Sequence, residues 1–377
     1  MNRLLNIVTC CLFGLILVSP VLLTVTGTEL TKPLEENRLM EAFPGMANCE
    51  LGQMDDCFKK ISTWFDDNYR PRDLLTKLQT QIDYSVFSTS DKVHIGADDG
   101  LFYRSTMDTE KVLSERLPQP VFDQFLANLD ALDHYMQTRG NQLIVLPIPL
   151  KDTIYPEKLP SRTPNLPENR RYQHLRLWLA GHDSIITLDA YDHLTQRKGE
   201  ARAFHKTDFH WNDPAGFLFA EKLVNKLWRV QSGESTALWD QQLTVEERVS
   251  SGGQANFLPL LKTPEELSLF LDVTWDYPRG THTYNAPTDF WAYVYDGTGD
   301  ARGRLDGVVV MGDSFFDALH RSGVDSYFSS VHRSSVQPAR FPEIYSRIPD
   351  GTRFFIFEFI ESSLFFYLDL GLAVPAD

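Results

Sequence analysis

The sequence predicts an α/β fold in which a mostly parallel sheet is flanked by helices. Three apolar runs read as buried strands, at residues 143–147, 308–311 and 354–357. Segments with helical spacing of apolar residues separate them, most clearly at 119–138, where Gly140 follows as a stop signal. Short buried strands that alternate with helices are typical of a sheet covered on both faces.

The other predicted elements follow the same alternation. Apolar spacing predicts two helices within 56–86, and the turn formers around Gly100 predict a β-hairpin over 93–103. The Asp213–Pro214 pair is a capping and first-turn signal that opens a helix to about residue 227. The pattern also predicts a helix at 167–180, a short strand at 185–188 and a helix that runs from Ser314 to about Arg321.

The N-terminus carries a long apolar stretch, residues 4–25. About 20 such residues span a bilayer core, and Arg3 before the stretch with acidic residues after it predicts that the rest of the chain is exported. We therefore expect a transmembrane helix, with a cleaved signal peptide as the alternative. The predicted organisation is a membrane anchor or signal segment (1–27), a linker with N-terminal helices (28–90) and a catalytic domain (91–377).

Composition and cysteine usage narrow the class of protein. The net charge of −15 disfavours nucleic acid as a partner, because phosphate neutralisation needs concentrated Lys and Arg. Cys49 and Cys57 lie in the part that we expect to be exported, and they either form a disulfide there or stay free thiols. A local excess of Lys and Arg between residues 151 and 176 either meets an acidic glycan or forms an ordinary solvated face.

Ser314 is the candidate nucleophile. It lies where the buried strand 308–311 runs through Gly312 and Asp313 into a helix, so its hydroxyl is expected at the carboxyl end of a central strand, where open α/β sheets bind ligands. Backbone N–H groups from Gly312 to Phe315 are candidate oxyanion donors. The alternative is that Ser314 only caps the helix, as serine often does.

His210 and Asp208 are the candidate base and its orienting group. Residues two apart on extended backbone point to the same side, which is the arrangement that a serine nucleophile needs. Trp211 is a candidate substrate contact, and Asn285 is a candidate oxyanion donor. A zinc site formed by His205, Asp208 and His210 is the competing interpretation. We expect neither a metal nor another cofactor.

These two motifs resemble the alginate O-acetyltransferase family of SGNH-like hydrolases. In ordinary SGNH hydrolases the Ser block comes first, whereas in this family the Asp-x-His block precedes it, as Asp208–His210 precedes Ser314 here. Weaker similarities run from about residue 36 to the end of the chain. They comprise Glu36–Arg38, Trp64–Asp67, Arg72–Asp73, Asp99–Tyr103, Leu146–Lys151 and Ile154–Pro160.

The resemblance implies an SGNH-like fold and a transferase that acetylates an exported, alginate-like polysaccharide. It implies a location on the periplasmic side of the inner membrane, a membrane-bound O-acyltransferase that supplies acetyl, and other polysaccharide-export proteins as partners. By position, Ser314 matches the nucleophile, His210 the base and Asp208 the orienting carboxylate. An acetylesterase with the same residues and a non-catalytic subunit of an export complex are the alternatives.

Overall fold

A computed structural model of the chain describes residues 2–31, 40–43, 54–69, 71–161, 163, 170–199, 202–271, 280–285, 289–297, 305–335 and 341–364. The chain divides into two compact units. One comprises Met1–Ser90 with Asn256–Thr263, and the other comprises Asp91–Ala255 with Pro264–Asp377.

In the first unit, the described residues form the helices α1 (Asn2–Thr26), α2 (Met54–Asn68) and α3 (Pro71–Phe87). The expectation of a helix at the N-terminus is met by α1. In the described part of the chain, however, no helix combines the length and the apolar character needed to cross a membrane, so the transmembrane prediction is not supported. In α2, Cys57 is buried and disulfide-bonded. Cys49 and the Glu36–Arg38 segment lie outside the described residues.

The second unit contains the remaining elements. Its helices are α4 (Arg104–Arg116), α5 (Gln119–Thr138), α6 (Lys151–Ile154), α7 (Arg171–Ala180), α8 (Ala190–Arg197), α9 (Asp213–Ser232), α10 (Gly253–Asn256, whose last residue belongs to the first unit), α11 (Phe316–Arg321) and α12 (Phe341–Ser346). Its strands are β1 (Val93–Ile95), β2 (Leu101–Tyr103), β3 (Gln142–Ile148), β4 (Ile186–Thr187), β5 (Val245–Ser250), β6 (Glu266–Leu271), β7 (Thr281–Tyr284), β8 (Tyr293–Asp296), β9 (Gly307–Gly312), β10 (Ser330–Ser335) and β11 (Thr352–Ile360).

The central sheet has seven strands in the order β4-β3-β11-β9-β10-β8-β7. Five neighbouring strands are parallel to one another, namely β4, β3, β11, β9 and β10. Beyond β10, β8 and then β7 extend the sheet in antiparallel orientation. The sheet is therefore mixed, which corrects the expectation of a mostly parallel sheet at this edge. β7 is largely polar and exposed, and β8 has only four residues, so neither contains an apolar run long enough for the pattern to reveal it.

Alternate residues of each central strand pack on opposite faces of the sheet. In β9, Val308 and Val310 join the apolar cluster that includes α9 and α11, whereas Val309 and Met311 join the cluster that includes α5 and α12. Strand residues of period two separate faces in this way, and both faces are apolar because both are covered. The buried core thus fixes β9, and with it the direction in which the chain leaves the sheet at Gly312.

Candidate active site

Ser314 lies just beyond the carboxyl end of β9, which has parallel neighbours on both sides, β11 and β10. All six residues of β9 are buried, so the position of this strand end is fixed by packing on both faces. One residue, Asp313, separates the strand from Ser314, and α11 begins at Phe316. The side chain of Ser314 is exposed and therefore reachable from solvent.

The structure brings Ser314, His210 and Asp208 together in one hydrogen-bonded chain. The Nε2 atom of His210 lies 2.7 Å from the Oγ atom of Ser314. On the other side of the ring, Nδ1 lies 2.7 Å from Oδ1 of Asp208. Because a carboxylate only accepts hydrogen bonds, this contact places the proton on Nδ1 and leaves Nε2 as the acceptor for the hydroxyl proton. This is the arrangement that activates a serine nucleophile.

Asp208 and His210 share a side for a different reason than the sequence suggested. The segment is a series of bends and not an extended strand. The carboxylate of Asp208 accepts a hydrogen bond from the backbone N–H of His210 at 3.0 Å, as in an Asx-turn. The ring of the residue between them, Phe209, also lies beside the imidazole, with 4.0 Å between the centroids of the two rings. The turn thus brings carboxylate and imidazole together locally.

The surroundings of Asp208 favour the ionised form of its carboxyl group. Its second oxygen accepts a hydrogen bond from the backbone N–H of Gly253 at 2.6 Å, so three N–H groups point at two oxygens. Burial by itself raises the pKa of Asp208, but the hydrogen bonds from His210 and Gly253 and the charge of His210 outweigh it and hold the pKa well below its usual range. An anionic Asp208 orients the ring of His210 and stabilises a positive charge on it.

Two buried ionisable side chains fix the loop that carries Asp208. Glu266 in β6 accepts hydrogen bonds from the backbone N–H groups of Lys206 and Thr207, each at 2.7 Å. Lys151 donates from its Nζ to the carbonyls of Leu101, Lys206 and Asp208 at 2.8, 2.8 and 3.2 Å. Burial lowers the pKa of Lys151 to about 7. Three carbonyl acceptors match the three hydrogens of an ammonium group, so Lys151 links the loop to β2.

The turn that carries Ser314 is held by Glu358 of the neighbouring strand β11. Its Oε2 accepts a hydrogen bond from the backbone N–H of Asp313 at 2.9 Å. Burial, together with the nearby Asp313, raises the pKa of Glu358 well above its usual value. A Cβ atom at Gly312 would lie 2.9 Å from the same oxygen. Glycine at position 312 therefore allows Glu358 to approach the turn.

The backbone donors near Ser314 are fewer than the sequence suggested. Asp313 donates its N–H to Glu358, and Phe315 donates its N–H to the carboxylate of Asp313. Gly312 is itself part of β9 and pairs with β10. Among the contacts of the described chain, the N–H of Ser314 has no acceptor. This group is therefore the donor available for an oxyanion.

Three other predicted site residues are used elsewhere. Phe315 and Trp211 are buried in the core, and the indole N–H of Trp211 donates to the carbonyl of Phe315 at 2.8 Å. Trp211 thus holds the turn that carries Ser314 from the side of the core, and its buried ring is not accessible to a substrate. Asn285 follows the edge strand β7, and its amide donates to the carbonyl of Trp291 at 3.0 Å. We find no contact that brings Asn285 to Ser314 within the described residues.

The alternative interpretations drawn from charge and histidine content are not supported at this site. In the described parts of the chain, the three metal-ligating side chains that converge are His282, His320 and Asp325, and not His205, Asp208 and His210. Among the described Lys and Arg residues between 151 and 176, Lys158 alone of those not buried or paired at short range is substantially exposed, at 38% of its side chain, and Arg162 lies outside the described residues. Lys151, Arg170 and Arg171 are buried, and Arg176 pairs with Asp189 and Asp192.

Sequence reasoning missed Gly253, Glu266, Glu358 and Lys151. Gly252–Gly253 is a double-glycine turn signal, and glycine is needed because a Cβ atom at Gly252 would lie 2.6 Å from the backbone of Thr207. Lys151 ends one of the segments that resemble the family. Glu266 and Glu358 stand in strands with no motif around them, so no signal in the sequence marked them.

Comparison with known proteins supports the resemblance to this family. Residues 93–277 match the family model described as an SGNH hydrolase-like domain, acetyltransferase AlgX. The match covers just under half of the chain. It includes Asp208 and His210 and ends before Ser314.

Two curated relatives carry the name "Probable alginate O-acetylase AlgJ". The protein of Pseudomonas aeruginosa is 28% identical over 216 residues, which is 54% of this chain and 52% of that protein. The protein of Azotobacter vinelandii is 25% identical over 247 residues, or 65% of this chain and 61% of that protein. The chain thus matches only about half of the length of the first of these relatives.

A solved structure shares the fold. The structure of Bacillus cereus PatB1 with a sulfonyl adduct aligns with a TM-score of 0.50 at 15% identity, over 71% of this chain and 95% of that one. At this identity the likeness concerns the fold alone. Together with the family match, it identifies the domain as SGNH-like α/β and confirms the resemblance that the two motifs indicated.

Proposed function

We propose that this chain is an O-acetyltransferase that transfers acetyl groups to hydroxyls of an exported, alginate-like polysaccharide, with Ser314 as the nucleophile. The observation that carries the proposal is the hydrogen-bonded chain from Asp208 through His210 to Ser314, with both contacts at 2.7 Å. The names of the AlgJ relatives support acetyl as the group and alginate as the class of acceptor.

The first half of the proposed reaction forms acetyl-serine. Nε2 of His210 takes the hydroxyl proton of Ser314 while Oγ attacks the carbonyl carbon of the acetyl donor. The ring of His210 becomes cationic, and Asp208, 2.7 Å away, stabilises that charge. The proton then passes from Nε2 to the leaving group of the donor, which departs as the carbonyl re-forms.

The negative charge that develops on the carbonyl oxygen needs a donor close to Ser314. The N–H of Ser314 is suited to this role because it belongs to the nucleophile itself and has no other acceptor in the described chain. The turn is rigid, since the N–H groups on either side of Ser314 are both hydrogen-bonded. That of Asp313 donates to Glu358, and that of Phe315 donates to the carboxylate of Asp313. A donor that is already fixed costs no reorganisation during the reaction.

The second half of the proposed reaction differs from hydrolysis only in the acceptor. A sugar hydroxyl gives its proton to Nε2 of His210 and attacks the acetyl carbon, and Oγ of Ser314 leaves with that proton. Water at the same place would make the chain an acetylesterase. The exposed position of Ser314 admits a polymer hydroxyl as readily as water.

We further propose that the reaction takes place outside the cytoplasmic membrane, with an integral-membrane O-acyltransferase as the acetyl supplier and polysaccharide-export proteins as neighbours. The disulfide at Cys57 supports an oxidising compartment, because thiols stay reduced in the cytosol. Protease added to spheroplasts should degrade the chain from about residue 28 onward. Complete protection under conditions that digest a known periplasmic protein would contradict this location.

The proposed activity is tested by trapping the intermediate. The purified chain is incubated with a small activated acetyl ester, and intact mass with peptide mapping locates any adduct. Ser314→Ala is the test variant, and Ser329→Ala, which changes another exposed serine, is the matched control. We expect an acetyl adduct on Ser314 in the wild type and in Ser329→Ala, and none in Ser314→Ala.

The acceptor distinguishes the competing activities. Discharge of the adduct by alginate oligosaccharide faster than by water, with acetyl recovered on the sugar, supports the transferase. Equal discharge in both cases indicates an acetylesterase. Absence of a Ser314 adduct, with a folded protein, would refute the nucleophile and leave a non-catalytic subunit as the explanation.

A further inference from the structure

A second group of ligating side chains lies outside the proposed active site. His282 is in β7, His320 is near the end of α11, and Asp325 is in the short helical segment Val324–Tyr327. One ligand atom from each lies within 4.8 Å of the others. Three separate elements thus converge on one point at the antiparallel edge of the sheet.

The contacts within this group centre on a single carboxylate oxygen. Oδ2 of Asp325 lies 3.0 Å from Nε2 of His282 and 2.5 Å from Nδ1 of His320. In a tetrahedral zinc site, ligand atoms about 2.0–2.1 Å from the ion are about 3.3 Å from one another. To admit an ion, the distances between the three ligand atoms must therefore change by roughly an ångström or less on average.

Among the described residues, no Lys or Arg side chain forms an ion pair with Asp325. Its side chain is 2% exposed, and its other oxygen accepts a hydrogen bond from the hydroxyl of Tyr293 at 3.2 Å. Across the described residues, His282, His320 and Tyr293 are its side-chain partners. A buried anion of this kind calls for a cation.

We propose that His282, His320 and Asp325 bind a divalent transition-metal cation of the zinc type. Two imidazole nitrogens and one carboxylate oxygen are ligands that suit Zn²⁺ in a four-coordinate site with one position left for water. The half-buried histidines, 23% and 21% exposed, leave a path from solvent to the carboxylate.

Binding of the metal requires a change of tautomer in the two histidines. The nitrogens that face Asp325 donate protons to it without the ion, and they must be unprotonated to act as ligands. In His320 the proton then resides on Nε2, which lies 3.1 Å from the hydroxyl oxygen of Tyr284. This hydrogen bond fixes the tautomer and the orientation of the ring, as partners of metal-bound histidines do.

The position of the site suggests what the ion stabilises. α11 begins two residues after Ser314, and His320 is its second-last residue. An ion shared by His320 and His282 joins the end of this helix to the edge strand β7. The bound ion therefore supports the fold around the turn and takes no part in acetyl transfer.

The test uses the full chain without a histidine tag, stripped of metal with a chelator. Zn²⁺ binding is measured by calorimetry and metal analysis, Co²⁺ by its visible absorption, and stability by thermal unfolding with and without Zn²⁺. We expect one ion per chain, a Co²⁺ spectrum of tetrahedral type and a Tm that rises with Zn²⁺. His282→Ala, on the partly exposed edge strand, should weaken Zn²⁺ binding on the order of 100-fold or more.

Two controls separate this site from others. His182→Ala removes a histidine that pairs with the carboxylate of Asp130 at 3.5 Å without a third ligand, and it should bind like the wild type. His210→Ala should also retain the ion. Wild-type protein that binds no stoichiometric Zn²⁺, unchanged affinity in His282→Ala, or loss of the ion in His210→Ala would each overturn the proposal. Asp325→Asn, if folded, should behave as His282→Ala does.

Discussion

Replacing Asp208 by Asn should abolish most of the activity, because every hydrogen bond to this side chain comes from an N–H donor. Oδ1 accepts from Nδ1 and from the backbone N–H of His210, and Oδ2 accepts from Gly253. An amide has one oxygen and one NH2 group, so in either orientation a donor must face a donor. If the NH2 group faces His210, the ring is driven to the tautomer that cannot accept the proton of Ser314.

The expected magnitude follows from these contacts. Loss of a correctly oriented base costs roughly 10²- to 10⁴-fold in rate, or about 3–5 kcal/mol of transition-state stabilisation. Loss of a charge-assisted hydrogen bond costs a further ~1.5–3 kcal/mol of folding free energy. Both effects come from a change of one atom, so the backbone of the loop, held by Glu266 and Lys151, should stay in place.

The assay is the rate of Ser314 acetylation by an activated ester, with thermal unfolding to confirm the fold. Asp130→Asn is the matched control, since it makes the same change in an aspartate that pairs with His182 at the protein surface. Its rate should equal that of the wild type. A folded Asp208→Asn variant that keeps a third or more of the wild-type rate would refute the assigned role of Asp208.

Three further predictions concern the turn and a buried carboxyl. Gly312→Ala places a Cβ atom 2.9 Å from Oε2 of Glu358, so it should cost about 1–3 kcal/mol of stability in denaturant titration and slow acetylation of the serine. Glu358→Gln keeps an acceptor for the N–H of Asp313 and should react nearly as the wild type does, whereas Glu358→Ala should lose ~2–5 kcal/mol of stability; equal behaviour of the two variants would contradict the role of this hydrogen bond. Burial raises the pKa of Glu110 from 4.5 to about 8. The folded state thus holds this proton more tightly, so the resulting stabilisation is complete below about pH 4.5 and is lost as the pH rises through 8, and Glu110→Gln should flatten the dependence of Tm on pH in that window.

The buried strands and helices could be predicted from the sequence because their apolar residues recur with the spacing that burial in each element requires. The apolar run 308–311 reads as a strand, and the structure has β9 there, since both faces of a covered parallel sheet demand apolar residues. The helix predicted at 119–138 has the bounds of α5. Strands β5 and β7 escaped prediction because they are mostly exposed, β6 because it buries Glu266 and exposes Leu267, and β8 because it has only four residues. Pairing partners, and not the local pattern, decide their conformation.

The helix that follows Asp213 illustrates a smaller error with a clear cause. The side chain that caps α9 is that of Asn212, which accepts a hydrogen bond from the N–H of Ala215 at 3.0 Å. Asp213 instead pairs with Arg321 at 2.6 Å, a contact between α9 and α11. Both residue types are good N-caps, so only the distant partner of Asp213 could decide between them.

By itself, the sequence identified Ser314, His210 and Asp208, the three residues that the structure joins by hydrogen bonds. Ser314 after a buried strand, and Asp208 two residues before His210, are local patterns whose chemistry depends on residue type and short spacing. The tertiary structure decided everything that depends on distant segments. It turned Trp211 and Phe315 into core, brought Gly253 and Glu358 to the two motifs, added antiparallel strands to the sheet edge and joined His282 to His320. These contacts link residues far apart in the chain, and their energies come from burial and hydrogen bonding that no local pattern records.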